Sequence, residues 1–132
     1  MALVVPNQGE QILLEAFVGK TAGQNLVLFL FSNNVTPAET DTEANYTAMS
    51  GFGYADITFT AASWSFTAGN PSTLSDAEQT FTFTGAAGNS YGYGFKQVTS
   101  GKLVWAERFA TAPIVISNNG DQIKITPLIT AE

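Results

Sequence analysis

Carboxylates on alternate residues are the feature of this sequence whose spacing could do chemistry. Glu39, Asp41 and Glu43 occupy every second position of a predicted loop, and calcium favours several oxygen ligands of this kind. The segment lacks the central glycine and the distal bidentate glutamate of a helix–loop–helix calcium site. The sequence therefore favours an acidic, solvated loop over a metal site, and no metal ligand is predicted.

Glycoside hydrolysis would need a pair of carboxylates beside the scissile bond. Glu107 lies in an aromatic segment and Asp56 in a predicted strand, but the sequence does not align the registers of the two. Aromatic residues beside a charged strand edge are also typical of an ordinary β-sandwich core. We expect Glu107 to form an ion pair on a strand surface instead. Its candidate partners are Arg108, Lys96 and Lys102.

Composition excludes several further classes of function. The 132 residues contain no cysteine and no histidine, which excludes disulfides, zinc sites of the usual ligand types and histidine-based triads. The 5 basic residues are scattered and are outnumbered by 11 acidic ones, so we expect no nucleic-acid partner. No glycine-rich turn leads into a phosphate-binding helix. We therefore predict a protein that is not an enzyme and uses no cofactor.

Membrane association is not predicted either, because no apolar stretch approaches the roughly 20 residues that a membrane span needs. The first residues have no basic region of the kind that opens a signal peptide. Charged residues make up only 12% of the chain, against a typical share of about 25%. Low surface charge opposes association only weakly, which favours a homo-oligomer.

The stretch from Asn89 to Phe109 organises the predicted fold. Aromatic residues alternate with small or polar ones on both sides of Ser100-Gly101, which predicts a β-hairpin. Its aromatic face must be covered by a second layer. We interpret Gly92 and Gly94 as positions where a ring or the backbone packs closely on the strand.

The flanking segments predict one helix and further strands. Asn7 to Lys20 has helical periodicity, with Asn7 as cap and Glu10 closing a capping box. Asn25 to Ser32 is an apolar run that predicts a strand buried on both faces, with the helix as its second cover. Glu78 to Thr84 alternates strictly, which directs its two phenylalanines to the core and its threonines to water.

A second hairpin is predicted near the end of the chain. Ile114 to Ser117 and Gln122 to Leu128 flank Asn118-Asn119-Gly120-Asp121, and Asn-Gly is the pair that most readily forms a tight primed turn. The chain then has seven or eight short strands, which are typical of sandwiches and barrels. We predict one domain over residues 1–132: a mainly β, antiparallel β-sandwich of jelly-roll-like type with one short N-terminal α-helix.

Six segments, spread over nearly the whole chain, carry a resemblance to a known group of proteins. They are Val4 to Leu14, Asn25 to Pro37, Gly53 to Ala55, Tyr91 to Tyr93, Leu103 to Phe109 and Asn118 to Pro127. In these segments the chain resembles a group of small virion proteins of tailed bacteriophages. The resemblance implies a structural protein of the virion, a head decoration or cement protein that docks on the shell and stabilises it. It implies no catalytic residue.

The implied partners are the major capsid protein or other virion proteins, together with further copies of the chain. Within the N-terminal arm and helix, at about residues 1–20, the segment Ala2 to Phe17 is the candidate docking element. We expect a chain that lacks Met1 to Gly9 to fold but not to attach. The candidate docking residues are Val4, Val5, Pro6, Ile12, Leu13 and Phe17.

The alternative from a different class is a tail-fibre or receptor-binding module. Such a module would bind host-surface glycans through exposed aromatic rings, and Tyr91, Tyr93 and Trp64 are the candidates. The two functions differ in copy number, because a cement protein is abundant on the head whereas a fibre module occupies few positions.

Overall fold

The computed structural model describes residues 3–131, and every strand pairing in that range is antiparallel. The predicted mainly β, antiparallel fold with one short N-terminal helix is confirmed, and the jelly-roll strand order stays a prediction. The elements are α1 (Asn7–Phe17), β1 (Leu26–Phe31), β2 (Ile57–Phe59), β3 (Ser65–Thr67), β4 (Ser72–Ser75), β5 (Gln79–Thr84), β6 (Gly88–Ser90), β7 (Gly92–Gln97), β8 (Leu103–Arg108), β9 (Ile114–Ile116), β10 (Asn119–Ile125) and β11 (Leu128–Ala131).

The largest sheet has the strand order β2-β1-β7-β8, and the predicted aromatic hairpin forms its last two strands, β7 and β8. β7 and β8 pair with Phe95 opposite Trp105 and Tyr93 opposite Glu107. The rings of Phe95 and Trp105 stack with their centroids 4.3 Å apart. Cross-strand pairs of this kind fix the register, because a slip of one residue would move each ring to the other face.

The main core lies between this sheet and the smaller sheets. β5 and β10 form one of them, and β11, β4 and β3 form another. Phe81 and Phe83 of β5 are buried while the threonines between them are exposed, so the predicted alternation is confirmed. The other buried side chains of this core are Leu28, Leu30, Met49, Phe59, Phe95, Val104, Trp105, Ile116, Ile123 and Ile125.

β1 is buried on both faces, as predicted, but its second cover is not the helix. The outer-face rings of Phe29 and Phe31 pack edge-on against Tyr46, at centroid distances of 6.2 and 4.9 Å. Tyr46 belongs to the long connection between β1 and β2, whereas α1 packs on β8. The reason is the arm before the helix: Val4 pairs with Ala106 and so holds α1 at the β8 edge.

The predicted capping of α1 is wrong. Asn7 is the first helical residue and Pro6 occupies the N-cap, where no side chain bonds to the helix. The Asn7 amide instead donates to the Glu39 carbonyl at 2.8 Å, and the Glu10 amide donates to the Pro6 carbonyl at 3.0 Å. The Glu39 carbonyl, in a distant loop, thus satisfies the Asn7 amide, which the sequence pattern had assigned to a capping box.

The predicted second hairpin is also wrong. β9 pairs with β6, and β10 pairs with β5, so the two segments belong to different sheets. The corner between them is held by Asp121, whose carboxylate accepts hydrogen bonds from the amides of Ser117 and Asn118 at 2.8 and 2.9 Å. Gly120 has a φ of +93° and Asn119 is not left-handed, whereas a tight primed turn of that type needs two left-handed residues.

Candidate interaction surface

The predicted docking residues divide into two groups. Val4 belongs to the first, because its amide and carbonyl bond to Ala106 at 2.9 and 3.0 Å. Val5 and Ile12 pack against the main core, and Pro6 is fully buried. These four residues therefore use much of their apolar surface inside their own domain.

Leu13 and Phe17 form the second group and lie on the solvent side of α1. Together with two neighbours that the sequence analysis did not select, they make an apolar strip that we call the helix stripe. It consists of Leu13, Leu14, Phe17 and Val18, which are 57%, 67%, 89% and 72% exposed. Leu13, Leu14 and Phe17 share one side of the helix, and Val18 follows at its C-cap. Exposed apolar patches larger than a few hundred Å² are typical of protein interaction surfaces, which makes the stripe a candidate for one.

The close contact of α1 with β8 explains why this side faces outward. A Cβ at Gly9 would overlap the backbone carbonyl of Val104, so only glycine allows the helix to approach the strand there. Gly9 and Ile12 consequently turn inward, and Leu13 and Phe17 turn out. The sequence contained a signal for this exposed apolar side. The helix α1 is apolar on two sides, whereas a helix that packs on a single domain needs only one apolar side.

The C-terminal end of α1 is held by a polar cluster around Glu15. Its carboxylate accepts hydrogen bonds from Gln11 at 2.8 Å and Thr21 at 3.0 Å, and it pairs with Lys20 at 3.3 Å. The bond from Gln11, followed by those from Thr21 and Lys20, lowers the pKa of Glu15. These contacts fix the chain as it leaves the helix beside the stripe.

An apolar cleft of about 370 Å³ opens between α1 and the sheets. Leu13 belongs to both the cleft and the helix stripe. The opposite wall belongs to the sheet formed by β3, β4 and β11. In this sheet Leu74 of β4 lies directly opposite Phe66 of β3 on one side and Ile129 of β11 on the other. Leu74 and Ile129 line the cleft, and Phe66, which shares their face of the sheet, is 69% exposed. Other lining residues are Ile12, Leu26, Phe59, Trp64 and Trp105.

A smaller pocket of about 140 Å³ adjoins the cleft and shares part of its lining. Its walls include Glu15, Thr21, Gln24, Ser100 and Lys102. The combined opening is therefore apolar towards the sheets and polar towards the end of α1. Pockets of this composition suit apolar groups and use a few polar groups to orient them.

The acidic loop is only partly solvated, which corrects the sequence prediction. Asp41 is buried and accepts hydrogen bonds from the Tyr46 hydroxyl at 2.7 Å and the Ala38 amide at 3.0 Å. Glu39 and Glu43 are exposed. Over residues 3–131 no group of three or more acidic side chains is close enough to hold a metal ion. Asp41 therefore anchors the loop that carries Tyr46.

Asp56 and Glu107 are not brought together. Asp56 precedes β2 at one edge of the largest sheet and Glu107 lies on β8 at the other, with β1 and β7 between them. At a strand spacing of roughly 5 Å, that separation exceeds the roughly 5 to 10 Å between the two carboxyl groups of a glycosidase. The arrangement thus provides no paired acid and base from these two residues.

The partner predicted for Glu107 is also wrong. In the described part of the chain Glu107 forms no ion pair; its carboxylate accepts a hydrogen bond from the Tyr93 hydroxyl. Lys96 instead pairs with Asp56 at 3.6 Å, and Arg108 donates to the Val35 carbonyl at 2.9 Å. Burial, and then the bond to Glu107, raise the pKa of Tyr93.

The three rings considered for glycan binding are all partly buried. The Arg108 guanidinium lies 5.2 Å from the centre of the Tyr91 ring. Tyr93 is bonded to Glu107. Trp64 packs against Phe59 with a centroid distance of 5.5 Å and lines the cleft.

Within residues 3–131 the helices are too short or too polar to cross a membrane. Comparison of the chain with protein-family models, with curated proteins and with solved structures finds no significant match.

Proposed function

We propose that this protein is a non-enzymatic structural component of a tailed-phage virion, a decoration or cement protein that docks on the head shell and stabilises it. The observation that carries the proposal is the continuous apolar surface formed by the helix stripe and the cleft, on a framework of paired strands. The resemblance of the chain to small virion proteins is the reason for proposing the head shell as the partner of this surface.

An uncovered apolar surface of this size supports an assembly role. Apolar area is stabilised when it is removed from water, and most of the exposed area in the helix stripe belongs to large side chains. The chain also carries few charges to oppose close approach of a partner. For a protein with these two properties, binding to another protein surface is favourable in free energy.

We assign contact with the shell to the cleft and its Phe66 rim. A cleft of about 370 Å³ has room for one or two large apolar side chains. Burying such a side chain contributes roughly 1.5 to 3 kcal/mol. Many copies bound to the assembled shell, and not to its dissociated subunits, would shift the equilibrium towards the intact shell.

The first test is the copy number of this chain in purified particles, measured by quantitative mass spectrometry against the major shell protein. The proposal expects a ratio close to that of the shell subunit. A ratio lower by about an order of magnitude would point to the tail-fibre alternative, and glycan binding would then be the next assay. Absence of the chain from particles would overturn the virion assignment.

The second test addresses the cleft rim. Phe66→Ser should reduce binding of the purified protein to undecorated shells by roughly 10- to 100-fold, the equivalent of burying one large side chain. Val115→Ser is the matched control, because Val115 is 58% exposed and lies on β9, in a different sheet from Phe66 and from the lining residues Leu74 and Ile129. Equal binding by the two variants would exclude the cleft rim as the contact.

A further inference from the structure

We infer that the cleft and the smaller pocket beside it form one binding site for an aliphatic monocarboxylate, such as the anion of a fatty acid. The alkyl chain would lie in the cleft, and the carboxylate would lie where the cleft meets the pocket. The residue that points to this ligand is Gln97, which lines both cavities and is only 5% exposed.

Gln97 belongs to a row of side chains that crosses the largest sheet and forms the floor of the cleft. In the strand register Leu26 lies between Gln97 and Phe59, and all three residues line the cleft. Residues directly opposite each other on paired strands share one face of the sheet. Gln97 is therefore the polar member of an otherwise apolar row.

A chain of hydrogen bonds orients the amide of Gln97. Ser100 Oγ accepts a bond from the Lys102 amide at 3.2 Å and donates one to Gln97 Oε1 at 2.6 Å. Within residues 3–131 that is the hydrogen bond of the Gln97 side chain, so its nitrogen remains as a donor. In the same range Ser90 Oγ is the one side-chain polar atom that is both sealed from solvent and without a partner, so the Gln97 nitrogen is reached from the cleft. An acceptor on a ligand would satisfy this donor.

The charge beside Gln97 favours an anion as the polar end of the ligand. The Lys102 carbonyl accepts a bond from the Gln97 backbone amide at 3.0 Å, and Lys102 lines the smaller pocket. Within residues 3–131 the ion pairs use the other three lysines of the chain. Glu15, in the same pocket, is paired with Lys20 at 3.3 Å. A donor nitrogen and an available ammonium group together suit a carboxylate.

The remainder of the cleft suits an alkyl chain. Its polar lining residues Gln24 and Asn25 both bond to the turn between β7 and β8, close to Gln97, so the cleft is polar at one end. A ligand with one polar end and an apolar body fits this arrangement better than a peptide backbone, which carries polar groups at every residue. The volume of about 370 Å³ lies within the range of roughly 300 to 1,000 Å³ that is typical of small-molecule sites.

Isothermal titration calorimetry of the purified full chain tests the site with octanoate and decanoate. Two more methylene groups in the cleft should make decanoate bind roughly tenfold more tightly than octanoate. Decyltrimethylammonium has the same chain length and a cationic head, and it should bind at least tenfold more weakly than decanoate. The inference is wrong if neither carboxylate binds at millimolar concentration, or if the anionic and cationic probes bind equally.

A blocking variant tests the position of the alkyl chain. Ala16 is exposed on α1 and lines both cavities, so Ala16→Trp should fill the opening without entering the core. We expect this variant to bind decanoate at least tenfold more weakly. Ala44→Trp is the matched control, since Ala44 is exposed and lies in the connection between β1 and β2. Equal affinity of the two variants would show that the chain lies elsewhere.

Two variants test the polar end. Gln97→Met removes the donor at similar length and should weaken decanoate binding roughly 10- to 100-fold, while decyltrimethylammonium binding stays the same, a selectivity that unfolding could not produce. Lys102→Met should weaken decanoate binding about twofold to fivefold, as expected for a partly solvated ion pair. Lys124→Met, on β10, is its control. Unchanged decanoate binding by Gln97→Met would overturn the assignment of the carboxylate position.

One consequence rests on the proposed function, because the same cleft is assigned to the shell. A bound alkyl chain would exclude a shell side chain, so saturating decanoate should lower binding of the protein to undecorated shells. If decanoate binds the isolated chain but leaves shell binding unchanged, the contact of the cleft with the shell is wrong and the ligand site stands. If decanoate does not bind, the ligand site is wrong, whatever the copy number in particles.

Discussion

The ring of Phe29 on β1 lies against Gly94 on β7, its register partner in the largest sheet. A Cβ at Gly94 would lie 2.7 Å from Phe29 Cζ and 3.3 Å from the Trp105 carbonyl oxygen. The neighbouring pair repeats the arrangement, since a Cβ at Gly92 would overlap the Phe31 ring. The two glycines therefore provide the room in which the outer aromatic layer packs.

Gly94→Ala should lower the free energy of unfolding by roughly 1 to 3 kcal/mol, because the added methyl group forces Phe29 or the strand to move. Urea denaturation measures this loss. Gly23→Ala is the control, since a Cβ at Gly23 meets no atom within 4 Å. If the two variants unfold at the same urea concentration, the glycine is not needed for packing.

The sequence predicts this part of the fold well because its signals are local. Period-two alternation specified the aromatic hairpin, and the glycines at two of its alternate positions, Gly92 and Gly94, indicated close packing. The second hairpin failed for the opposite reason. The Asn118–Asp121 corner looks like a hairpin turn from its residues alone, but its flanking strands pair with β5 and β6, which lie far away in the sequence.

Tyr54 completes the hydrogen bonding of β1 where β2 does not reach. Its hydroxyl accepts a bond from the Leu30 amide at 2.9 Å and donates one to Asp56 at 2.7 Å. Tyr54→Phe would leave the amide of a fully buried residue without a partner, at a cost of roughly 1 to 3 kcal/mol in unfolding free energy.

The control for this prediction is Tyr91→Phe. In the described part of the chain the tyrosine hydroxyls that form hydrogen bonds are those of Tyr46, Tyr54 and Tyr93. Removal of the Tyr91 hydroxyl should therefore change stability by less than about 0.5 kcal/mol. Thermal and urea unfolding of both variants would decide the question. A loss as large for Tyr91→Phe as for Tyr54→Phe would contradict the role given to the Tyr54 hydroxyl.

Three phenols, one buried and two partly buried, predict a loss of stability in alkali. Burial, and then hydrogen bonding to a carboxylate, raise the pKa of each phenol above its ordinary value of 10.0. The unfolded chain therefore loses these protons at a lower pH than the folded chain does. Their stabilising contribution is complete below about pH 10 and falls as the pH rises further. The residues are Tyr46, Tyr54 and Tyr93.

Each phenol should lower the free energy of unfolding by at most about 1.4 kcal/mol per pH unit. The decrease should be smaller for a partly solvated hydroxyl. Urea unfolding between pH 9 and 12 would measure it, with tyrosinate absorbance as an independent readout. The slope should be shallower in Tyr54→Phe. A flat profile, or equal ionisation of these phenols in native and denatured protein, would contradict the assignment.

The candidate interaction surface was predicted only in part. Periodicity identified α1 and its apolar residues, and Leu13 and Phe17 are exposed as a docking role requires. The inward position of Ile12 follows from the approach of Gly9 to Val104, a contact between residues about a hundred positions apart. The cleft likewise combines side chains from α1 and six strands, an arrangement that no local pattern encodes.

Deletion of Met1 to Gly9 should destabilise the whole domain, and this replaces the expectation that the shortened chain folds normally. The deletion removes both hydrogen bonds between Val4 and Ala106, the buried ring of Pro6 and the first three residues of α1. It also exposes Val104, which is 4% exposed beneath the helix. Together these losses should cost roughly 3 kcal/mol or more.

Circular dichroism and urea unfolding of the shortened chain measure this cost. Phe17→Ser in the full chain is the comparison, since a side chain that is 89% exposed should contribute less than about 0.5 kcal/mol to the stability of a monomer. An unchanged unfolding midpoint for the shortened chain would show that the arm is dispensable for folding. Otherwise, failure of the shortened chain to attach to a particle reports lost structure, and substitutions at the cleft rim such as Phe66→Ser are the informative probes of docking.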